Sequence, residues 1–175
     1  MNLANRLTML RIALIPVFLV VLYLDFPYNR YVALVIFILA SATDFVDGHI
    51  ARSRNLITDF GKFMDPLADK MLVMAAMLWF VEVGRMPAWA LLIVVVREFA
   101  VTGLRLIAVE RGRVIAAAWS GKIKTASTMV CICIMLVFHN LTLDVVCVAI
   151  ILATTIYSGI EYFVKNKDVI DWSKV

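Results

Sequence analysis

Apolar residues occur along the chain in long runs that charged segments separate. None of the runs alternates with a period of two, so the pattern favours α-helices over the strands of a β-barrel. Each run is 11–16 residues long, shorter than the ~20 residues of a membrane-spanning helix. We therefore predict six helices, each extending into a charged flank, around the runs 12–24, 31–43, 71–81, 86–96, 125–138 and 145–160.

Composition restricts the class of protein. Hydrophobic residues make up 63% of the 175 residues and charged residues 17%, with a mean hydropathy of +0.94. Soluble domains have about 45–50% apolar and about 25% charged residues. The values exclude a soluble globular enzyme, a disordered chain and a disulfide-rich secreted scaffold. The sequence contains no repeat or linker, which predicts a single transmembrane domain over residues 1–175.

Basic residues are distributed unevenly among the segments between the runs. The two termini and the two long connectors carry 15 of them, whereas the three short connectors carry only Arg30 and Arg85. Because Lys and Arg accumulate on the cytoplasmic side of a membrane, both termini are predicted to be cytoplasmic. The predicted fold is an all-α integral membrane protein with six transmembrane helices.

Two pairs of aspartates lie between the second and third runs, one pair just after the second run and one just before the third. Asp44 and Asp47 are three residues apart and Asp65 and Asp69 four apart, so each pair shares one face of a helix. Asp65 before Pro66 is typical of a helix start and predicts that the third helix begins there. Four adjacent carboxylates repel one another unless cations neutralise them, and oxygen ligands suit hard divalent ions such as Mg²⁺. Four carboxylates can hold two such ions.

Other residues in the same segment suit a phosphate ligand. Gly48 and Ala51 add minimal bulk to the helix, and Arg52 offers a planar fork of donors. The alternative is that the aspartates are solvated loop acids paired with Arg52, Arg54 and Lys62. The regular spacing of all four aspartates argues against that alternative.

The complete pattern is similar to the signature of the CDP-alcohol phosphotransferases, six-helix membrane enzymes of phospholipid synthesis. It matches at every defined position: Asp44-x2-Asp47-Gly48-x2-Ala51-Arg52-x8-Gly61-x3-Asp65-x3-Asp69. The N-terminal segment Asn5-x2-Thr8-x2-Arg11 resembles the opening of bacterial members that use a CDP-diacylglycerol donor, and its three polar residues share a helical face.

The resemblance implies roles for these residues. Asp44, Asp47, Asp65 and Asp69 would bind two divalent ions, Mg²⁺ or Mn²⁺, with Asp69 also the general base toward the acceptor hydroxyl. The residues implied in binding CDP-diacylglycerol are Asn5, Thr8, Arg11, Gly48, Ala51, Arg52, Thr58 and Gly61.

The members most similar in overall sequence transfer the phosphatidyl group of CDP-diacylglycerol to glycerol 3-phosphate, releasing CMP. The resemblance thus implies a multi-pass transferase of the bacterial inner membrane, with its active site toward the cytoplasm. It also implies contact with membrane lipids, no nucleic-acid partner and a homodimer.

An anionic acceptor needs cations, and the fourth connector is rich in them. Arg97 follows eleven uncharged residues, which predicts a position inside the bilayer and a partner for its charge. Glu98 lies about 100° around the helix from it, so we expect that partner elsewhere. The candidates for binding the acceptor phosphate are Arg97, Arg105, Arg111, Lys122 and Lys124.

Other functions fit parts of the pattern. The same donor could serve another acceptor: an inositol phosphate, serine or phosphatidylglycerol. An intramembrane prenyltransferase also binds a Mg²⁺-diphosphate, but with different Asp spacing in longer chains. A cation transporter would place its acidic residues nearer the membrane midplane and use discontinuous helices.

Overall fold

The computed structural model describes residues 3–53, 59–116 and 118–169, with 3–7, 44–53, 59–63, 65, 66 and 69 described by their backbone alone. These residues form six α-helices and a short 3₁₀ helix, and none of them lies in a strand. The helices are α1 Leu3–Tyr23, α2 Asn29–Ser53, α3 Asp59–Glu82, α4 Ala88–Glu110, α5 Trp119–Val137 and α6 Leu141–Lys165, and the 3₁₀ helix is Lys167–Val169. The prediction of an all-helical fold is confirmed.

Each apolar run forms the body of one helix, and the helices extend into the charged segments as predicted. The expected start of the third helix at Asp65 and Pro66 is wrong, because α3 begins at Asp59. Pro66 removes one backbone hydrogen bond, a loss that membrane helices tolerate. The connector predicted over 44–70 is therefore largely helical.

The described contacts group the chain into two units. The first contains α1, α2 and α3, with α1 packed against both of the other helices. The rings of Phe18 and Phe37 are 5.9 Å apart in the core between α1 and α2. Ala33, Ala40 and Ala68 are completely buried. Such small residues allow membrane helices to approach closely, which explains the tight packing of this unit.

Polar side chains fix the ends of the helices in the first unit. The Asn29 amide donates to the carbonyl oxygen of Leu24 at 2.9 Å, which closes the turn between α1 and α2. Tyr28 in that turn has a φ of 72°, the left-handed region that few side chains adopt. The Tyr23 hydroxyl donates to the Glu82 carboxylate, joining the last residues of α1 and α3.

The second unit contains α4, α6 and most of α5. Its α4 packs against α6 and against the 3₁₀ helix, and the core there consists of Val101, Leu104, Ala108, Tyr162 and Val169. The Gly112 N–H donates to Val109 and the Arg113 N–H to Ala108, the two bonds of a Schellman motif. Gly112 has a φ of +70°, which explains the glycine at the end of α4.

The opposite end of α4 has a buried ion pair. Arg85 Nε donates to Asp144 Oδ2 at 2.8 Å, and Arg85 Nη2 donates to Oδ1 at 2.5 Å. Both side chains are only 5% exposed. Asn140 caps α6 through its side-chain oxygen, which accepts from the backbone N–H groups of Thr142 and Leu143. The pair and the cap together connect the segment before α4 to the first turn of α6.

Within the described ranges, α5 and α6 are each long and apolar enough to cross a membrane. Large apolar side chains are also exposed on the other helices, including Phe99 and Leu92 on α4 and Val20 on α1. Extensive exposed apolar surface is typical of contact with lipid. The single-domain organisation over 1–175 remains a prediction.

Candidate functional site

The signature aspartates lie on two helices of the first unit. Asp44 and Asp47 fall in the second half of α2, and Asp65 and Asp69 in the first half of α3. The helical backbone at both places supports the inference that each pair occupies one helix face. Their side chains lie outside the described ones, as do those of Asn5, Gly48, Ala51, Arg52 and Gly61, and Thr58 lies outside the described residues altogether. Among the side chains that are described, no group of three His, Cys, Asp or Glu could hold a metal ion.

Thr8 and Arg11 point into the core of the first unit. Both side chains are buried, and that of Arg11 is completely so. Arg11 Nε donates to the carbonyl oxygen of Ala40 at 3.3 Å. Ala40 lies on α2 one helical turn before Asp44, and its carbonyl also accepts a bond from the Thr43 hydroxyl at 2.7 Å. The polar face of α1 therefore meets α2 immediately before the aspartate signature.

Arg97 lies in the middle of α4 and is held from three directions. Its Nη1 donates to Glu98 Oε1 at 2.9 Å, and its Nη2 donates to Ser158 Oγ of α6 at 3.0 Å. A Cβ added at Gly159 would lie 3.2 Å from Arg97 Cγ, so only glycine leaves this side chain undisturbed. The expectation that the partner of Arg97 comes from elsewhere is half right, because Ser158 does and Glu98 does not. Rotation about the flexible side chains bridges the 100° between neighbouring helical positions.

Lys124 joins the same cluster from α5. Its Nζ donates to Glu98 Oε1, the oxygen that also accepts from Arg97. The side chains of Arg97, Glu98 and Lys124 are 14%, 12% and 8% exposed, so all three lie largely out of solvent. Two cations share one anion, and the cluster has a formal charge of +1. We call these three residues the Glu98 cluster.

The other predicted acceptor residues occupy different surroundings. Arg105 Nε donates to the Tyr162 hydroxyl at 2.9 Å, and its guanidinium lies 5.4 Å from the centre of that ring. The Lys122 ammonium lies 5.2 Å from the ring centre of Trp119, a cation–π contact at the start of α5. Arg111 is an exposed residue at the C-terminal cap of α4. The structure brings Arg97 and Lys124 together and places Arg111 and Lys122 at helix ends.

The sequence analysis rejected Glu98 as a partner of Arg97, and it missed the polar contacts of Ser158 and Tyr162. Glu98 could have been kept as a candidate partner, because an ionisable residue on a largely apolar helix is costly in a membrane unless its charge is paired. Ser158 and Tyr162 gave no comparable signal, since both are ordinary residues of an apolar helix. Their contacts with α4 depend on how α6 is rotated against it.

The sequence also matches known proteins. The model of the CDP-alcohol phosphatidyltransferase family matches residues 1–157. A CDP-diacylglycerol–glycerol-3-phosphate 3-phosphatidyltransferase of Bacillus subtilis (strain 168) is 43% identical, with 94% of this chain and 95% of the relative covered.

Two further relatives are more distant. A probable phosphatidylglycerophosphate synthase of Mycobacterium tuberculosis (strain CDC 1551 / Oshkosh) is 39% identical over 92% of this chain and 79% of the relative. A relative from Shigella flexneri serotype 5b (strain 8401), with the same name as the Bacillus protein, is 34% identical over 92% of both chains. The bacterial relatives and the apolar helices indicate a membrane protein. With a family match over most of its length, the chain belongs to the CDP-alcohol phosphatidyltransferase family.

Proposed function

We propose that the protein transfers the phosphatidyl group of CDP-diacylglycerol to glycerol 3-phosphate, giving phosphatidylglycerophosphate and CMP. The observation that carries the proposal is the 43% identity, over nearly the full length of both chains, to a relative named for this reaction. The buried, net-positive Glu98 cluster supports an acceptor that carries a phosphate.

In the proposed reaction, the acceptor hydroxyl oxygen bonds to the phosphorus that carries the diacylglycerol. The bond from that phosphorus to the oxygen of CMP breaks, and CMP leaves with the electron pair. Asp69 takes the proton of the acceptor hydroxyl as general base. The remaining contribution of the protein is positioning and charge neutralisation, which phosphoryl transfer mainly requires.

The proposed metal ligands are Asp44, Asp47, Asp65 and Asp69. Four carboxylates in two helical pairs fit hard divalent cations. We therefore infer that they bind two ions, Mg²⁺ or Mn²⁺. Bound there, such ions would reduce the negative charge of the donor diphosphate and ease the approach of an anionic acceptor.

The donor is proposed to bind along α1, α2 and the first residues of α3. Arg11 supports this, because its buried guanidinium bonds to α2 one turn before Asp44. Arg52 would pair with a phosphate oxygen, and small residues would leave room for the nucleotide. The full proposed set is Asn5, Thr8, Arg11, Gly48, Ala51, Arg52, Thr58 and Gly61.

For the acceptor phosphate we propose Arg97, Arg105 and Lys124 as principal ligands, with Lys122 and Arg111 contributing charge. We further propose six membrane spans with both termini and the site toward the cytoplasm of a bacterial inner membrane, and a homodimer. The support for the orientation is the division of the basic residues, with 15 in the termini and long connectors and 2 in the short connectors.

The decisive experiment is an acceptor panel with purified protein, CDP-diacylglycerol and Mg²⁺, in which CMP release is measured. We expect CMP release with glycerol 3-phosphate and little with inositol phosphate, serine or phosphatidylglycerol. Release with one of these and none with glycerol 3-phosphate would overturn the proposed acceptor. Omission of divalent metal should abolish turnover, and full activity in chelator would remove the proposed metal role.

The proposed base is tested by Asp69→Asn. Turnover should fall by a factor of about 10²–10⁴, the usual contribution of general base catalysis. The matched control is Asp25→Asn, the same substitution at an exposed position of the connector between α1 and α2, which should leave turnover unchanged. Wild-type turnover in Asp69→Asn would remove the base assignment.

A further inference from the structure

The Glu98 cluster contains an anion at a place where the proposed function calls for cations. Glu98 and its partners come from two helices, since Arg97 and Glu98 belong to α4 and Lys124 to α5. An anion beside a phosphate site weakens the attraction of that site for phosphate by simple electrostatics. The presence of Glu98 therefore needs a reason other than charge.

The geometry indicates the reason. A single carboxylate oxygen, Glu98 Oε1, accepts from both Arg97 Nη1 and Lys124 Nζ. Without that shared acceptor, two cations this well buried would repel each other and separate. One anion between them allows both to remain within one cluster while the cluster keeps a net charge of +1.

Donors remain in the cluster after these bonds are made. Lys124 has three N–H donors, and the bond to Glu98 uses one of them. Arg97 uses Nη1 for Glu98 and Nη2 for Ser158, whereas its buried Nε has no hydrogen-bond partner in the described part of the chain. A buried donor without a partner is costly, and a ligand oxygen that accepts from it would remove that cost.

The position of Arg97 is also constrained by its surroundings. Gly159 lets α6 approach Arg97 Cγ, where a Cβ would lie at 3.2 Å, and Ser158 fixes Nη2. A long basic side chain that becomes ordered only on ligand binding loses rotamer entropy, which weakens binding. A side chain that is already ordered does not incur this cost on binding. Contacts that hold Arg97 before the acceptor arrives therefore favour binding.

We propose that Glu98 is a positioning residue for the acceptor: its carboxylate holds Arg97 and Lys124 together so that both donate to the phosphate group of the acceptor. The inference rests on the proposed function, because it takes the acceptor to be a phosphate monoester. Glu98 does not touch the acceptor itself in this scheme and acts only through the two cations.

The test is Glu98→Gln, with steady-state constants measured for each substrate. If Glu98 positions the cations, the KM for glycerol 3-phosphate rises about 10-fold, because a charge-assisted contact is misplaced. The kcat at saturating acceptor and the KM for CDP-diacylglycerol change by less than about twofold. The reason is that the cations bind the acceptor phosphate equally strongly in the ground state and the transition state. Charge alone predicts the opposite, since removal of an anion should lower the KM for an anionic acceptor.

The matched control is Glu161→Gln. It also removes a Glu–Lys pair of the second unit, that of Glu161 with Lys165 on α6. The pair is exposed at its lysine, and we expect neither KM to change. An equal rise in the acceptor KM in this control would overturn the inference, because the effect would then be general to the unit.

A second variant tests whether Glu98 acts through Lys124. In Lys124→Met the acceptor KM should already be raised. The acceptor KM of the double variant Lys124→Met with Glu98→Gln should then be much lower than the product of the two single effects predicts. Independent, multiplying effects would overturn the shared-carboxylate scheme. A fall in kcat with an unchanged acceptor KM, or a lowered acceptor KM, would also overturn it.

Folding and function can be separated in the same experiment. Glu98→Asp retains the charge and tests the positioning if Glu98→Gln does not fold; failure of both to fold would show a structural role and overturn the proposal. Stabilisation of the purified protein against heat by glycerol 3-phosphate provides a readout without turnover, and Glu98→Gln should need about tenfold more glycerol 3-phosphate for the same stabilisation. Wild-type protein that turns over only another acceptor would reject the proposed function, and Glu98→Gln would then be measured with that acceptor.

Discussion

The described part of the second unit contains two buried ion-pair sites, and their charges balance differently. Arg85 and Asp144 form one bidentate pair, in which one cation meets one anion and the sum is zero. The Glu98 cluster has two cations for one anion, because Arg97 and Lys124 both donate to one oxygen of Glu98. Both sites are largely shielded from solvent. A neutral pair serves the fold, whereas an excess of buried positive charge suits an anionic ligand.

The difference also follows the position of each site along the helices. The neutral pair connects the segment before α4 with the first turn of α6, where Asn140 already caps the helix. The Glu98 cluster lies farther along α4 and is joined by Ser158 from the second half of α6. The neutral pair and the cap therefore stabilise the region where α4 and α6 begin, and the two cations of the Glu98 cluster lie farther along these helices.

The largest effect on stability is expected from Asp144→Asn. The variant leaves the buried Arg85 without its carboxylate, and breaking such a pair costs about 3–5 kcal/mol of unfolding free energy. Thermal unfolding in detergent measures the loss, and the KM for glycerol 3-phosphate of the folded fraction should be unchanged. A raised acceptor KM with unchanged stability would remove the distinction between the two sites.

The control for that prediction replaces both partners. Arg85→Met combined with Asp144→Leu removes the two charges together, and such apolar replacements of buried pairs are often neutral. We expect most of the stability to return. A double variant as unstable as Asp144→Asn would indicate that the polar contacts themselves, and not the unpaired charge, are required.

A smaller effect, on binding only, is expected from Gly159→Ala. The new Cβ would lie 3.2 Å from Arg97 Cγ, so the arginine must shift by a few tenths of an ångström. We expect the acceptor KM to rise about threefold to fivefold, because misplacement of a binding group weakens its contacts. We do not expect a large loss of stability, because alanine stabilises a helix by about 0.5–1 kcal/mol relative to glycine.

Gly103→Ala is the matched control for this change. Gly103 lies on α4, and a Cβ there would meet no described heavy atom within 4 Å. The same gain in helix propensity should appear without a change in either KM. If both alanine variants raised the acceptor KM equally, the close approach of Gly159 to Arg97 would not be the cause.

The smallest effect is expected at the exposed Arg113–Asp168 pair, which lies beyond the ends of α4 and α6. A hydrogen bond from Arg113 lowers the pKa of the Asp168 carboxyl below its ordinary value. A lowered pKa in the folded state stabilises the fold above the unfolded pKa of about 3.9, and the gain is lost as pH falls through the folded value. Both side chains are more than half exposed, so solvent screens the pair.

Asp168→Asn should accordingly lower the Tm slightly at pH 7, and the difference from wild type should shrink as the pH falls below the unfolded pKa and through the lower folded pKa of Asp168. The measurement is the unfolding temperature of both proteins across that range. A difference that grows as the pH falls would contradict the assigned direction of the pKa shift. Neither KM should change at pH 7, in contrast to the Glu98 cluster.

Much of the fold was predictable because it depends on local pattern. Uncharged runs predicted all six helices, and their charged flanks predicted the extensions, since a bilayer needs longer helices than the runs provide. The start of α3 was not predictable from Asp65 and Pro66, because a capping signal is a weak preference that a continuing helix can override. Extensive exposed apolar surface, as at Phe99 of α4, was expected from the high share of hydrophobic residues.

The candidate site was predictable in part for the same reason. Spacing alone placed Asp44 with Asp47 on α2, and Asp65 with Asp69 on α3, because helical periodicity fixes which residues share a face. Five basic residues were candidates for the acceptor phosphate, but their sequence positions do not separate the buried Lys124 from the exposed Lys122. Burial depends on which face of α5 meets the rest of the second unit.

The sequence by itself determined the helices, the family and the positions of the acidic and basic residues along them, because these follow from hydropathy, periodicity and motif spacing. Only the tertiary structure decided that Lys124 and Arg97 share one oxygen of Glu98, and that Arg105 meets Tyr162. Those contacts join residues 26 and 57 positions apart. Rotation and axial offset of one helix against another create them, and packing at residues such as Gly159 sets both quantities.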